Sequence, residues 1–169
     1  MPKIKLDKTD CQLLHHIQSN AKIANTELAD KLGLSPSPCL RRVKTLEKNG
    51  VIKRYVGIID PILVGLPISV FITVSLRNQG RDALEEFESY ISSYEEIMEC
   101  YLMTGSSDYL LRVIMPDMES YEQFLLDKIT TIPCVDNIES SFSLKQVLYR
   151  TEMPITPTAK HDRTESIDS

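Results

Sequence analysis

From Ile68 onward the hydrophobic period alternates between about two and about 3.6 residues. The order is strand, helix, strand, strand, helix, strand. "ISVFITVSL" places Val70, Ile72 and Val74 on one face and Phe71, Thr73 and Ser75 on the other. Arg81 to Ser93 is amphipathic, with Leu84, Phe87, Tyr90 and Ile91 inward. Two strands, Ile97 to Thr104 and Tyr109 to Met115, flank the turn "GSSD". A second helix begins at Asp117, with Tyr121, Phe124, Leu125 and Ile129 at helical spacing, and Val135 to Leu148 reads as a long final strand or two. Elements in this order bury their apolar faces economically as an antiparallel sheet with both helices on one side, the ferredoxin-like βαββαβ arrangement.

The first sixty residues have helical spacing only. Asp7 is placed to cap a first helix, with Asp10 in its first turn and Leu13, Leu14 and Ile17 on its apolar face. Asn25 is placed to cap a short second helix ending at Gly33. A third helix follows in "LSPSPCLRRVKTLEKNG". Ser35 stands at its cap, and Pro36 and Pro38 lie in the first turn, where backbone N–H groups have no intrahelical partner. The prolines therefore set the start of this helix and do not break it. Helix, short glycine-containing turn, helix is the helix-turn-helix pattern. The helical wheel puts Cys39, Leu40, Val43 and Leu46 inward and Ser37, Arg41, Lys44, Thr45 and Lys48 outward. Solvated helix faces ordinarily mix charge signs; this one carries cations and hydroxyls without an acid. Lys53 and Arg54 follow in the β-prone "VIKRYVGIID", a short wing or a strand leading out.

Charge separates the two halves. Residues 1–60 hold eleven Lys and Arg against six acids, and the remainder holds eight against eighteen. The basic half is the candidate for a phosphate-rich polyanion. The expected organisation is α+β. It comprises a winged or helix-turn-helix three-helix domain over 1–60, a linker over 61–67, a ferredoxin-like domain over 68–150 and a polar, flexible tail over 151–169. The polar, charged start is unlike a signal peptide, and the apolar stretch Ile62 to Leu76 is too short to cross a membrane. Cys11, Cys39, Cys100 and Cys134 have no paired spacing and read as reduced thiols of a cytoplasmic protein. No nucleophile, phosphate-loop, dinucleotide or metal motif is present, so no enzyme activity and no cofactor are expected. His15 and His16 are adjacent on one helix and point apart, which suits them poorly to a shared metal.

"LDKTDCQLLHHIQSNAKIANTELADKLGLSPSPCLRRVKTLE", with "GSSDYLLRV" and "IPCVDNIESSF", resembles the Lrp/AsnC family, the feast-or-famine transcription regulators of bacteria and archaea. The resemblance spans about residues 6–150. It implies a DNA-binding helix-turn-helix domain and a C-terminal domain that dimerises and binds small effectors, commonly amino acids. Homodimers of the family often build octamers or larger rings. The resemblance places the effector between subunits, near the turn after the second strand of this domain. Here that turn region is Leu102, Met103, Thr104, Gly105, Ser106, Ser107 and Asp108. A glycine turn can present N–H groups to a carboxylate, and Asp108 can hold an ammonium, with Leu102 and Met103 near a side chain. Asp108 can equally order the hairpin turn. Many relatives carry an acid directly after the glycine where this chain has Ser106, which leaves the preferred amino acid open.

On double-stranded DNA, the third helix is expected in the major groove, with Ser37, Arg41 and Thr45 nearest the base edges. Lys44, Lys48, Lys53 and Arg54 are expected on phosphates. Arg42 lies between the faces, as a DNA contact or as a brace paired with an acid. Ser35 is a helix cap that can also meet a phosphate. Cys39 reads as core, and a thiol-sensing role for Cys100 lacks a neighbouring cation in sequence. The function expected is a sequence-specific transcription regulator whose assembly or DNA affinity responds to an amino acid. The alternative is an architectural protein that wraps DNA without an effector.

Overall fold

The computed structural model describes residues 4–157. The chain divides into two compact units, one reaching Gly57 and joined again by the segment from Leu148, the other Ile58–Val147.

The first unit holds α1 (Lys8–Ser19), α2 (Asn25–Leu32) and α3 (Pro36–Lys48). Asp7 and Asp10 form a reciprocal capping box at the start of α1: the Asp7 carboxylate accepts from the Asp10 amide at 2.7 Å, and Asp10 accepts from the Asp7 amide at 3.2 Å. Gly33 ends α2 at φ +63°, a left-handed conformation costly to any residue with a Cβ. Leu13, Leu14, Leu28, Ala29, Cys39 and Leu46 form the buried cluster of this unit.

Two caps differ from expectation. Ala24, not Asn25, precedes α2, and the Asn25 side chain crosses to donate to the Pro36 carbonyl at 2.9 Å. Asn25 thereby ties the second helix to the third across the turn. Ser35 occupies the cap position of α3, but its side chain makes no capping hydrogen bond. The reason is in the sequence: Pro38 stands at the third helical position, where the amide that a cap hydroxyl commonly bonds is missing.

The segment from Thr151, expected as a loose tail, is held in part. The Gln18 amide accepts from the Met153 N–H at 2.8 Å and donates to the Met153 carbonyl at 3.3 Å. Ile155 packs against the helix cluster. The part of the tail over residues 158–169 lies outside the described residues.

The second unit has β1 (Ile68–Leu76), α4 (Arg81–Ile91), β2 (Ile97–Leu102), β3 (Tyr109–Met115), α5 (Met118–Phe124) and β4 (Val135–Phe142). A π-helical turn, Leu125–Ile129, extends α5. The sheet is antiparallel throughout, in the order β2-β3-β1-β4. This is the α+β, βαββαβ architecture expected from the periodicity. Val70, Ile72 and Val74 of β1 and Leu111 and Val113 of β3 pack on Phe87 of α4 and on Tyr121 and Phe124 of α5. Phe71 lies on the other face, opposite Arg112, and remains 38% exposed.

The final strand is shorter than expected. Its pairing with β1 stops at Phe142, opposite Val70, with one further bond from the Ser143 amide to the Ser69 carbonyl. Beyond the start of β1 there is no ladder left to join, and Leu144 and Val147 stand exposed. The β-prone "VIKRYVGIID" likewise forms no strand. Its Tyr55 hydroxyl donates to Glu47 of α3 at 2.8 Å instead.

Candidate functional sites

The first candidate site is the outer face of α3. Ser37, Leu40, Arg41, Lys44, Thr45 and Lys48 line a shallow groove of about 340 Å³. They recur at steps of three and four residues, so successive turns add to one stripe. Among the described residues, Arg41, Lys44 and Lys48 form no ion pair. The stripe is therefore a row of uncompensated cations. Lys53 and Arg54 are exposed in the segment after α3.

The wheel placed Leu40 inward; the structure does not. Leu40 is 42% exposed and sits in the cationic groove. With about 100° of rotation per residue, it falls on the border between the sectors of Val43 and Lys44. Cys39 and Leu46 already fill the interior beside it. Thr45 is also changed in character: its hydroxyl donates to the Arg41 carbonyl at 2.8 Å, which uses its only donor inside the helix.

Arg42 is a brace. Its Nη1 donates to Asp7 Oδ2 and to Asp10 Oδ1, each at 2.7 Å. One guanidinium thus pins the start of α1 to the middle of α3. The Asp10 amide does most to hold the Asp7 carboxyl below its usual range; burial opposes it, and Arg42 adds further lowering. The Arg42→Ala variant is expected to lose about 1–2 kcal/mol of stability, a charge-assisted pair discounted because the Arg42 side chain is 37% exposed. The depressed Asp7 pKa fixes the pH dependence. The stabilisation is complete above the ordinary carboxyl value, near about 4, and disappears as pH falls below it through the lowered value. Urea unfolding from pH 7 to pH 3 is the check: the gap between the two proteins should close on the acid side. A gap unchanged with pH would mean Arg42 acts by packing alone.

The second candidate site is the turn between β2 and β3. Met103, Thr104, Gly105 and Ser106 are exposed, and Leu102 is exposed at the end of β2. Gly105 has φ +136°, backbone that favours glycine and lets the turn reverse here. Asp108 is turned the other way. It is 8% exposed, its Oδ2 accepts from the Leu76 amide at 2.7 Å, and its Oδ1 accepts from Gln79 Nε2 at 2.8 Å. Its backbone N–H donates to Val74 O at 2.9 Å and its carbonyl accepts from Met103 N at 2.8 Å. Both carboxylate oxygens are engaged within the chain, so Asp108 fastens the turn to the end of β1. In this geometry Asp108 orders the hairpin turn.

Near this turn, the Tyr109 ring packs tilted against Phe87 with ring centroids 4.5 Å apart, and its hydroxyl donates to Glu88 at 2.9 Å. On β2, burial and then Glu88 push the Cys100 thiol up to about 11. A thiol held protonated in this way is a poor nucleophile at neutral pH. On the opposite face of the sheet, Arg112 donates to Glu99 at 2.8 Å and Tyr101 donates to the same carboxylate at 2.9 Å.

Comparison with known proteins matches both units. The family profile described as winged helix-turn-helix DNA-binding covers residues 6–53, and that of the Lrp/AsnC ligand binding domain covers residues 69–153. The chain is 38% identical over 151 residues to the Bkd operon transcriptional regulator of Pseudomonas aeruginosa, covering 89% of this chain and 99% of that protein. It is 39% identical over 142 residues to the leucine-responsive regulatory protein of Haemophilus influenzae, covering 84% and 86%. The crystal structure of a Neisseria meningitidis transcriptional regulator in complex with L-methionine superposes with a TM-score of 0.84 at 39% identity, covering 88% of this chain and 96% of that one. No helix among the described residues is long and apolar enough to cross a membrane. With a DNA-binding helix-turn-helix in its first half and a ligand-binding domain in its second, the chain belongs to the Lrp/AsnC family of transcriptional regulators.

Proposed function

We propose that this protein is a cytoplasmic, sequence-specific transcription regulator, without enzyme activity, whose assembly or DNA affinity responds to an amino acid. The observation that carries the reading is the one-sign outer face of α3, in which Arg41, Lys44 and Lys48 form no ion pair among the described residues. For Lys44 and Lys48 the phosphates of a duplex supply the missing counter-charge, and release of their counterions drives association. In this reading α3 enters the major groove by its first half. Arg41 reads a guanine, with Ser37 and Thr45 beside it. Ser35, whose hydroxyl caps nothing, joins Lys44, Lys48, Lys53 and Arg54 on phosphates. Arg42 keeps the two helices in register and touches no DNA.

The effector reading rests on the ligand-binding-domain match and on the methionine-bound relative. The backbone of the Gly105-Ser106-Ser107 turn receives the carboxylate, and the exposed Leu102 and Met103 meet the side chain. Asp108 acts by holding the turn. The protein works as a homodimer, itself assembled into octamers, with Phe71 and Tyr101 on the sheet face that pairs subunits. Effector binding favours one assembly over another, and the assembly sets the spacing of the DNA-binding helices.

The test measures assembly by light scattering and DNA affinity by titration, each with single amino acids from a complete set. At least one, methionine and leucine foremost, is expected to shift assembly or to change affinity about 5–150-fold, the usual range of coupling. A protein that binds DNA identically with every amino acid would instead be architectural.

A further inference from the structure

The geometry points to Leu40 as a specificity-determining residue that recognises the 5-methyl group of a thymine in the major groove. This inference rests on the proposed docking of α3.

Leu40 is 42% exposed in the first half of α3, between Ser37, Arg41 and Lys44 in the groove. A large aliphatic side chain in a row of cations does nothing for the attraction to phosphate. The interior of the unit is closed without it, by Cys39, Leu46 and the leucines of α1 and α2. A helix docked by its first half brings this position to the base edges. The edges in the major groove present hydrogen-bond donors and acceptors, and one base, thymine, also presents an apolar group, the C5-methyl. Arg41 and Leu40 are adjacent in the same groove, one suited to a guanine edge and the other to a thymine methyl. Together they would read neighbouring base pairs by different physics, hydrogen bonding and apolar burial.

The experiment uses the full-length protein and its preferred duplex. Each thymine in turn is replaced by deoxyuridine, which removes the methyl and keeps every hydrogen-bonding group. Wild type, Leu40→Ala and Arg41→Ala are titrated against each duplex. At one thymine per half-site, uracil is expected to weaken wild-type binding about fourfold per half-site, the worth of burying one methyl group. The same swap should leave Leu40→Ala unaffected. Because Leu40 is not in the core cluster, that variant should keep the wild-type melting temperature.

Uracil swaps that weaken wild type and Leu40→Ala equally would overturn the assignment, as would the absence of any effect in either protein. A change of oligomeric state in Leu40→Ala would also overturn it, by placing the residue in a subunit contact. Failure of the docking beneath it has a different signature: Arg41→Ala would also leave the preferred duplex and its discrimination unchanged.

Discussion

Replacing Asp108 with alanine is expected to lower the unfolding free energy by about 2–4 kcal/mol. The carboxylate is 8% exposed and accepts from the Leu76 amide and from Gln79 Nε2. Truncation leaves a buried amide without a partner, at about 1–3 kcal/mol, and frees the glutamine from its position. The loss also loosens the point where the β2–β3 turn meets the end of β1, because the Asp108 backbone bonds both Val74 and Met103. Asp108→Asn should fall between alanine and wild type. Its amide oxygen can accept one of the two bonds, while its NH2 group is set against a donor. Chemical denaturation of the three proteins should rank them wild type, Asn, Ala. A Asp108→Ala protein of wild-type stability that has lost its amino-acid response would return this residue to direct contact with an effector ammonium.

The second large effect is expected at Arg41. Arg41→Ala should weaken binding to the preferred duplex by about 5–150-fold, the 1–3 kcal/mol range of a bidentate guanine contact, and should leave unrelated duplexes almost unchanged. Lys48→Ala should do the reverse: affinity falls alike on every sequence, and the slope of log affinity against log salt is reduced by about one. The neighbouring arginines make an internal control. Arg41 forms no ion pair among the described residues, whereas Arg42 is held by two carboxylates. Loss of Arg41 should therefore appear in DNA discrimination without a stability change, and loss of Arg42 in stability first. Titration at several salt concentrations separates these effects. An Arg41→Ala protein that keeps its preferred site would mean α3 docks by another face.

The parts of this account legible in the sequence are those set by local period and turn chemistry. The βαββαβ order follows from alternation in β1 and helical spacing in α4 and α5. The start of α3 follows from Pro36 in the first turn, and the end of α2 from Gly33. The cationic stripe also followed, because residues three and four apart share a face whatever surrounds them. What was not legible depends on distant partners or on a border position. Nothing near Arg42 in sequence names its partners, which lie 32 and 35 residues away at Asp10 and Asp7. Asp108 looks like any turn acid until the Leu76 amide arrives 32 residues away to take its carboxylate. Leu40 sits where a wheel cannot separate inside from outside, and hydrophobicity alone drew it inward. The docking of Met153 on Gln18 joins groups 135 residues apart, so composition alone made that segment look loose. The missing side-chain bond at Ser35 was legible in principle, since Pro38 removes one of the amides it would have capped.

The measurement that bears most directly on the central claim is selection of bound fragments from sheared genomic DNA of the source organism. It is run at about 150 mM salt, which suppresses sequence-independent phosphate binding, with and without a pool of amino acids. The expected result is recovery of a few fragments that share a two-fold symmetric site, with the recovered set or its yield changed by the pool. Flat recovery across the genome in both conditions would contradict a sequence-specific, amino-acid-responsive regulator.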